Sequence, residues 1–194
     1  MLEALDTEIG RLLGSMDEST RENTIVIFIG DNGSPNQVTK TLYGDHSAKG
    51  TIYDSGTHVP LIVTGPDIKP GRSDAFVMTV DLFTTITNIA GVTADSTDSF
   101  GFAPVLYGGE TERDYIYVEH FQEDKSDSKP SDVFGWAVRE ENYKLVQIDD
   151  EDAMLFDLAV DPLESNNLLA DGVSEIESQI LSKLNQRYKR IHSQ

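Results

Sequence analysis

Cysteine is absent from all 194 residues. That excludes disulfides, thiolate metal sites and a cysteine nucleophile within this sequence. Cations are scarce as well: 15 Lys and Arg stand against 34 Asp and Glu, a formal net charge of -19 at pH 7. A surface of that sign repels nucleic-acid phosphates, so no nucleic acid is expected as a partner. No apolar run reaches the roughly 20 residues that a helix needs to cross a bilayer, and no membrane partner is expected. The start, MLEALDTEIGRLL, lacks the basic-then-apolar pattern of a signal peptide and leaves the compartment unread. What is present suffices for a core: 38% of the residues are hydrophobic, enough for one domain or one domain with a small appendage.

The centre of the sequence is the stretch 24–60. Residues 24–29, TIVIFI, form an apolar, β-branched run ended by Gly30, which predicts a strand buried on both faces. Asp31 and Asn32 follow at its carboxyl end, where open α/β sheets place their ligand sites. A carboxylate and an amide carbonyl side by side suit one edge of a Ca²⁺ or Mg²⁺ shell. Asp-Asn-Gly after a strand is also ordinary turn chemistry, and spacing alone favours the turn. A short polar loop is expected next, then HSAKGTIYDSGTHVP and a second strand over residues 61–64.

In the DNG motif followed by KGTIYDSG and VPLIVTGP, the sequence resembles the sulfatase family of the alkaline-phosphatase superfamily. The resemblance implies that Asp31 and Asn32 ligate a divalent metal, Ca²⁺ or Mg²⁺, and that Lys49 contacts a sulfate ester. An ammonium beside a metal offsets charge developing on the transferred group. His46 is a candidate for the same substrate pocket, with a plainly exposed histidine as the alternative. Two departures from the family pattern stand out: Asp54-Ser55 stands where Glu-Gly is usual, and His58 where arginine is common before Val-Pro. The expected ligand is a sulfated small molecule or sugar.

Around this centre, residues 1–16 predict an amphipathic helix with Leu2, Leu5, Ile9, Leu12 and Leu13 on one face. Asp81 opens another helix, its carboxylate expected to cap first-turn amides, with Leu82, Phe83, Ile86 and Ile89 as the apolar face and Gly91 as the stop. Residues 93–113 read as a connecting loop. Four short runs, 115–119, 135–139, 143–148 and 154–158, then predict an antiparallel sheet, with the acids 149–152 at a hairpin tip. Residues 122–132 are acidic and serine-rich and read as a mobile loop, which the resemblance implies can lie near the active-site mouth as a candidate substrate-selecting element. LFDLAVDPLESNNL resembles the family's closing signature and precedes a helix over residues 173–191, with Ile176, Ile180, Leu184 and Tyr188 facing inward. Its terminal Lys183, Arg187, Lys189 and Arg190 suit the negative end of the helix dipole.

The expected architecture is α/β: the C-terminal part of an alkaline-phosphatase-like sandwich over residues 1–113, then a small antiparallel sheet packed with a helix over 114–194. The family's nucleophile, a formylglycine made from the Cys or Ser of a Cys/Ser-x-Pro-x-Arg motif, has no counterpart in these residues. Its paired N-terminal aspartates, which complete the metal shell, have none either. The chain alone is therefore expected to bind metal weakly and not to hydrolyse sulfate esters. It is expected to dimerise, to join a complementing N-terminal half, or to have been truncated from a longer product. A non-catalytic binding module and a phosphodiesterase or phosphonate hydrolase of the same superfamily are the alternatives. The family's members are often periplasmic, secreted or lysosomal.

Overall fold

The computed structural model describes residues 1–44, 49–93, 96–121 and 133–193, without the side chains of 133 and 134. Element order is α1 (Leu2–Gly14), α2 (Glu18–Glu22), β1 (Val26–Ile29), α3 (Asn36–Tyr43), α4 (Asp54–Thr57), β2 (Leu61–Thr64), α5 (Asp81–Ile89), α6 (Ala103–Leu106), β3 (Ile116–Phe121), β4 (Val133–Glu140), β5 (Tyr143–Ile148), β6 (Met154–Asp157) and α7 (Glu175–Ile191). Two sheets form: β1 pairs with β2, and β3 to β6 make a four-stranded meander, all antiparallel.

The second sheet holds the core because its strands alternate. Ala137, Val146 and Phe156 face one way and pack with Ile52, Tyr53 and Leu158. Val138, Leu145 and Leu155, one residue on in each case or one before, face the other way and pack against Leu184 of α7. A period of two thus gives each strand two buried faces, one covered by α7 and the other by residues from the first half of the chain. Each such side chain taken fully from water stabilises the fold by about 1.5–3 kcal/mol. The helix is anchored at its start by a capping box, Ser174 with Glu177, and along its length by Trp136 stacked on Tyr188 at 3.9 Å. Ile176 departs from expectation and stays 68% exposed, ahead of the stretch 180–191 that meets the sheet. Lys183 and Arg187 are committed to Glu140, Glu141 and Asp114, as a structural role requires.

The first half behaves differently. The strand expected to be buried on both faces, β1, contains no fully buried residue, because β2 is its only partner among the described residues and no layer closes over it. Helix α1 forms as expected, yet Leu2, Leu5 and Leu12 are exposed. The expected polar loop after Asp31 is partly a helix, α3, whose Val38 and Leu42 are also exposed. The expected connecting loop likewise contains the short α6. In α5 the apolar face is turned outward, with Phe83 and Ile86 each 51% exposed, while Asp81 and Thr85 point in.

Asp81 does not cap its own helix. Its carboxylate accepts the Met78 and Phe100 amides at 2.8 Å each and forms a two-point pair with Arg113, both N to O distances 2.5 Å. The buried, stacked guanidinium lies 4.6 Å from the Phe100 ring centre and also donates to the Asp98 carbonyl. Gly91, at φ +71°, ends the helix as expected, with the Val92 amide reaching back to the Thr87 carbonyl. A buried pair is costly to halve, since the survivor keeps its desolvation penalty without its counter-charge. Arg113→Met is expected to lower unfolding free energy by about 3–5 kcal/mol in urea denaturation. A loss under ~1 kcal/mol would show that Asp81 is solvated there.

Candidate functional site

The DNG loop and the YDSG turn meet through backbone. Gly33 N–H donates to the Gly56 carbonyl at 2.9 Å, and Gly30 N–H donates to the Pro60 carbonyl at 3.0 Å. Gly33 has no room for a side chain: a Cβ there would lie 2.0 Å from the Ser55 carbonyl oxygen and 2.6 Å from the Gly56 Cα. The glycine is needed for close approach rather than for a left-handed turn. On the far side of the loop, Lys49 N–H donates to the Ser34 carbonyl at 3.0 Å. The two motifs are thus fastened to one another by main-chain contacts.

Of the residues singled out in the sequence, Asp31 and Lys49 are exposed, and neither side chain has a hydrogen-bond or ion-pair partner among the described residues. Asn32 is half-buried; its amide nitrogen donates to the Gly33 carbonyl at 2.9 Å, which leaves its carbonyl oxygen for a ligand. His46 lies outside the described residues, as does the acidic segment 122–132. The oxygen donors at 31 and 32 fit a hard cation in kind but not in number, since Ca²⁺ takes six to eight. Among the described residues no group of three or more His, Cys, Asp or Glu could hold a metal.

A cavity of about 400 Å³ opens beside this loop, with Asn32, Gly33 and Ser34 on one wall and His58, Arg139 and Leu163 on others. Neither Asp31 nor Lys49 lines it. Asp54, His58 and Arg139, which also line it, belong to a charge cluster that the sequence reading missed, completed behind them by Lys144 and Glu164. Lys144 Nζ lies 2.8 Å from Asp54 Oδ1 and 2.7 Å from Glu164 Oε1, the latter an ion pair without hydrogen-bond alignment. Glu164 Oε2 accepts the Asp54 amide at 2.6 Å. Arg139 and His58 each approach Asp54 Oδ2 at 3.6 Å. The signal for Lys144 was there: a lysine two residues before the inward Val146 on the strand YKLVQI, tolerable only if paired.

Burial works against ionisation of Asp54, but His58, Lys144 and Arg139 outweigh it and hold the carboxyl well below the usual carboxylate range. Glu164 goes the other way: burial pushes its pKa up, against the pull of Lys144. Burial, with Glu164 and Glu151 nearby, pushes the Tyr53 phenol up to about 12. The contact with Asp54 raises the pKa of His58.

The family model described as Sulfatase matches residues 1–92. Human arylsulfatase A is 29% identical in a match covering 94% of this chain and 40% of that protein. In structure, a 2-O glycosaminoglycan sulfatase superposes with a TM-score of 0.78 at 24% identity, covering 97% of this chain and 40% of that one. The phosphonate monoester hydrolase of Agrobacterium radiobacter gives 0.76 at 26% identity, covering 98% of this chain and 40% of that one. The architecture is that of the alkaline-phosphatase-like hydrolases, a mixed α/β part followed by an antiparallel sheet and a C-terminal helix. The chain is thus similar to the sulfatase family, whose model matches its first 92 residues. It spans 33 to 40% of the length of the curated relatives it matches.

Two outcomes test the geometry. Gly33→Ala is expected to displace the DNG loop from Ser55–Gly56 and to lower the melting temperature by several degrees, at about 1–3 kcal/mol for overpacking. An unchanged melting curve would remove the close approach. For His58 the sign is set by its raised pKa. The imidazolium contribution is complete below the ordinary value of about 6.5 and fades as pH rises through the raised one. Wild type is therefore expected to lose urea stability as pH rises from about 6.5 through the raised pKa of His58, with His58→Gln losing less over the same interval. Equal losses in both proteins would mean that His58 and Asp54 do not interact.

Proposed function

We propose that this chain is the part of a sulfuric ester hydrolase that holds the ester and one edge of the metal, and that it works with a segment supplying the nucleophile. The observation that carries this reading is the backbone fastening of the DNG loop to both Lys49 and Ser55–Gly56, which keeps three chemically suited side chains on one scaffold. Asp31 and Asn32 offer oxygens to a divalent cation, Ca²⁺ or Mg²⁺, with its remaining ligands supplied from outside the described residues. Such an ion, when bound, polarises an ester oxygen as a Lewis acid. Lys49, exposed and unpaired among the described residues, neutralises the sulfate and favours the charge that develops on it. His46 is assigned to the same pocket.

No cysteine and no Ser-x-Pro-x-Arg is present in the 194 residues, so these residues by themselves do not turn over sulfate esters. The complementing body is a nucleophile-bearing half, and its docking also covers the outward-facing apolar side chains of the first half. The likeness at 26% identity to a phosphonate monoester hydrolase supports a second reading in which the ester is a phosphonate.

The test is reconstitution with a nucleophile-bearing segment, followed by assays on matched aryl sulfate and aryl phosphonate esters. Sulfate turnover is expected only in the reconstituted protein. Chelation is expected to abolish it, and Lys49→Ala to lower kcat by about 10²–10³-fold, the size of a lost transition-state donor. Preference for phosphonate would select the second reading, and silence toward both esters would remove the catalytic one.

A further inference from the structure

The cavity beside Asn32 is lined by two basic groups, Arg139 and His58, that neither the metal nor the ester requires. Lys144 is balanced by Glu164 and by Oδ1 of Asp54. Arg139 is left with a share of the other oxygen, at 3.6 Å, and with a backbone bond from its Nε to the Glu141 carbonyl at 3.1 Å. The Glu141 carboxylate itself is committed to Lys183. Among the described residues the remaining guanidinium donors of Arg139 have no hydrogen-bond partner, although the side chain is only 24% exposed and is held 5.2 Å from the Phe76 ring centre. A partly buried guanidinium with an unused edge is a planar oxyanion receptor.

His58 stands at the rim with its side chain 76% exposed, sharing the same Asp54 oxygen. Without His58 the cluster balances, Lys144 and Arg139 against Asp54 and Glu164; with the imidazolium counted, it carries one positive charge. On a chain of net charge -19, that is a local reversal of sign. Leu158 and Leu163 are among the apolar residues that line it, and the volume of about 400 Å³ falls in the range of small-molecule sites.

We propose that this cavity is a second anion subsite, in which Arg139 and His58 receive a second oxyanion on a sugar whose apolar ring face lies against Leu158 and Leu163. The preferred ligand is thus a doubly anionic sugar rather than a monosulfate; this rests on the sulfatase reading only for the first anion, which Lys49 would hold. Asp54 acts as a positioning residue: its carboxylate orients both cations, and Lys144 takes up its remaining charge.

Amide and arginine side-chain NMR titrations of the full chain in calcium buffer test this, using N-acetylglucosamine 6-sulfate and glucosamine N,6-disulfate as the probes. The disulfate is expected to bind about fivefold more tightly and to shift the Arg139 Nε–H resonance, whereas the monosulfate leaves that resonance in place. In His58→Ala and in Arg139→Gln the ratio is expected to fall to near unity, with dispersed spectra showing that each variant is folded. His58 is exposed, so its variant keeps the test open if Arg139→Gln fails to fold. A ratio that survives in folded His58→Ala and Arg139→Gln overturns the proposal. So does an absent preference in wild type, or no disulfate binding up to millimolar concentration. Lys49→Ala separates the two readings. Equal weakening of both ligands with the ratio kept supports the subsite and the Lys49 assignment together, while unchanged affinities remove Lys49 from sulfate binding and leave the ratio to judge the cavity.

Discussion

Lys144 sits between Asp54 and Glu164, three residues that are far apart in the chain and drawn into one buried contact. Taking these charges out of water is expensive, and each is tolerable only while the others are in place. The cluster therefore acts less as a source of net stability than as a constraint on where the YDSG turn can lie. Glu164 holds the Asp54 amide, Lys144 holds the Asp54 carboxylate, and Ile52 and Tyr53 fill the adjoining face of the second sheet. With α4 fixed in this way, the backbone of Ser55 and Gly56 becomes the surface on which Gly33 rests. The position of Asn32, and of the cavity beside it, follows from that chain of contacts.

Much of this was legible in the sequence, for reasons that differ by element. Strands β2 and β5 match their expected bounds because short apolar runs between turn residues have little alternative. The antiparallel second sheet and α7 were legible because periods of two and 3.6 dominate there. Helix α3 was hidden because NQVTKTLY carries only two strongly apolar residues and reads as polar loop. Asp81 misled for a different reason. Its place at the head of a helix satisfied the capping pattern, while the partner that claimed it, Arg113, stands 32 residues away and gives no local signal. Long-range charge pairing is the part of the site that one sequence does not display, and Lys144 with Glu164 is the same case.

The DNG motif illustrates how a family resemblance and local physics divide the work. Turn chemistry explains Asp-Asn-Gly by itself, and the resemblance supplies the metal. The structure adds a cause for the glycine that neither provides: a Cβ at position 33 would overlap the Ser55 carbonyl. It also separates the candidate residues, placing Asn32 on the cavity and leaving Asp31 and Lys49 outside its lining. The departures at 54 and 58, which read in sequence as losses of a family pattern, prove to be neighbours, His58 and Asp54 lying 3.6 Å apart.

The two halves of the chain solve the burial problem unequally, and the inequality bears on chemistry. The second sheet is closed on both faces and contains most of the fully buried apolar side chains. The first half exposes Leu2, Leu5, Leu12, Val38, Leu42, Ile62, Phe83 and Ile86, and turns the polar side of α5 inward. Helix α3, which carries two of those side chains, begins four residues after Asn32. The oxygen donors of Asp31 and Asn32 and the uncovered apolar surface therefore lie on the same half of the molecule. A hard cation needs oxygens from several directions, and an apolar face needs a matching one. Under the proposed function, one docking body that meets both needs would bury the apolar residues and exclude water from the cation in the same step, turning packing energy into catalytic preorganisation.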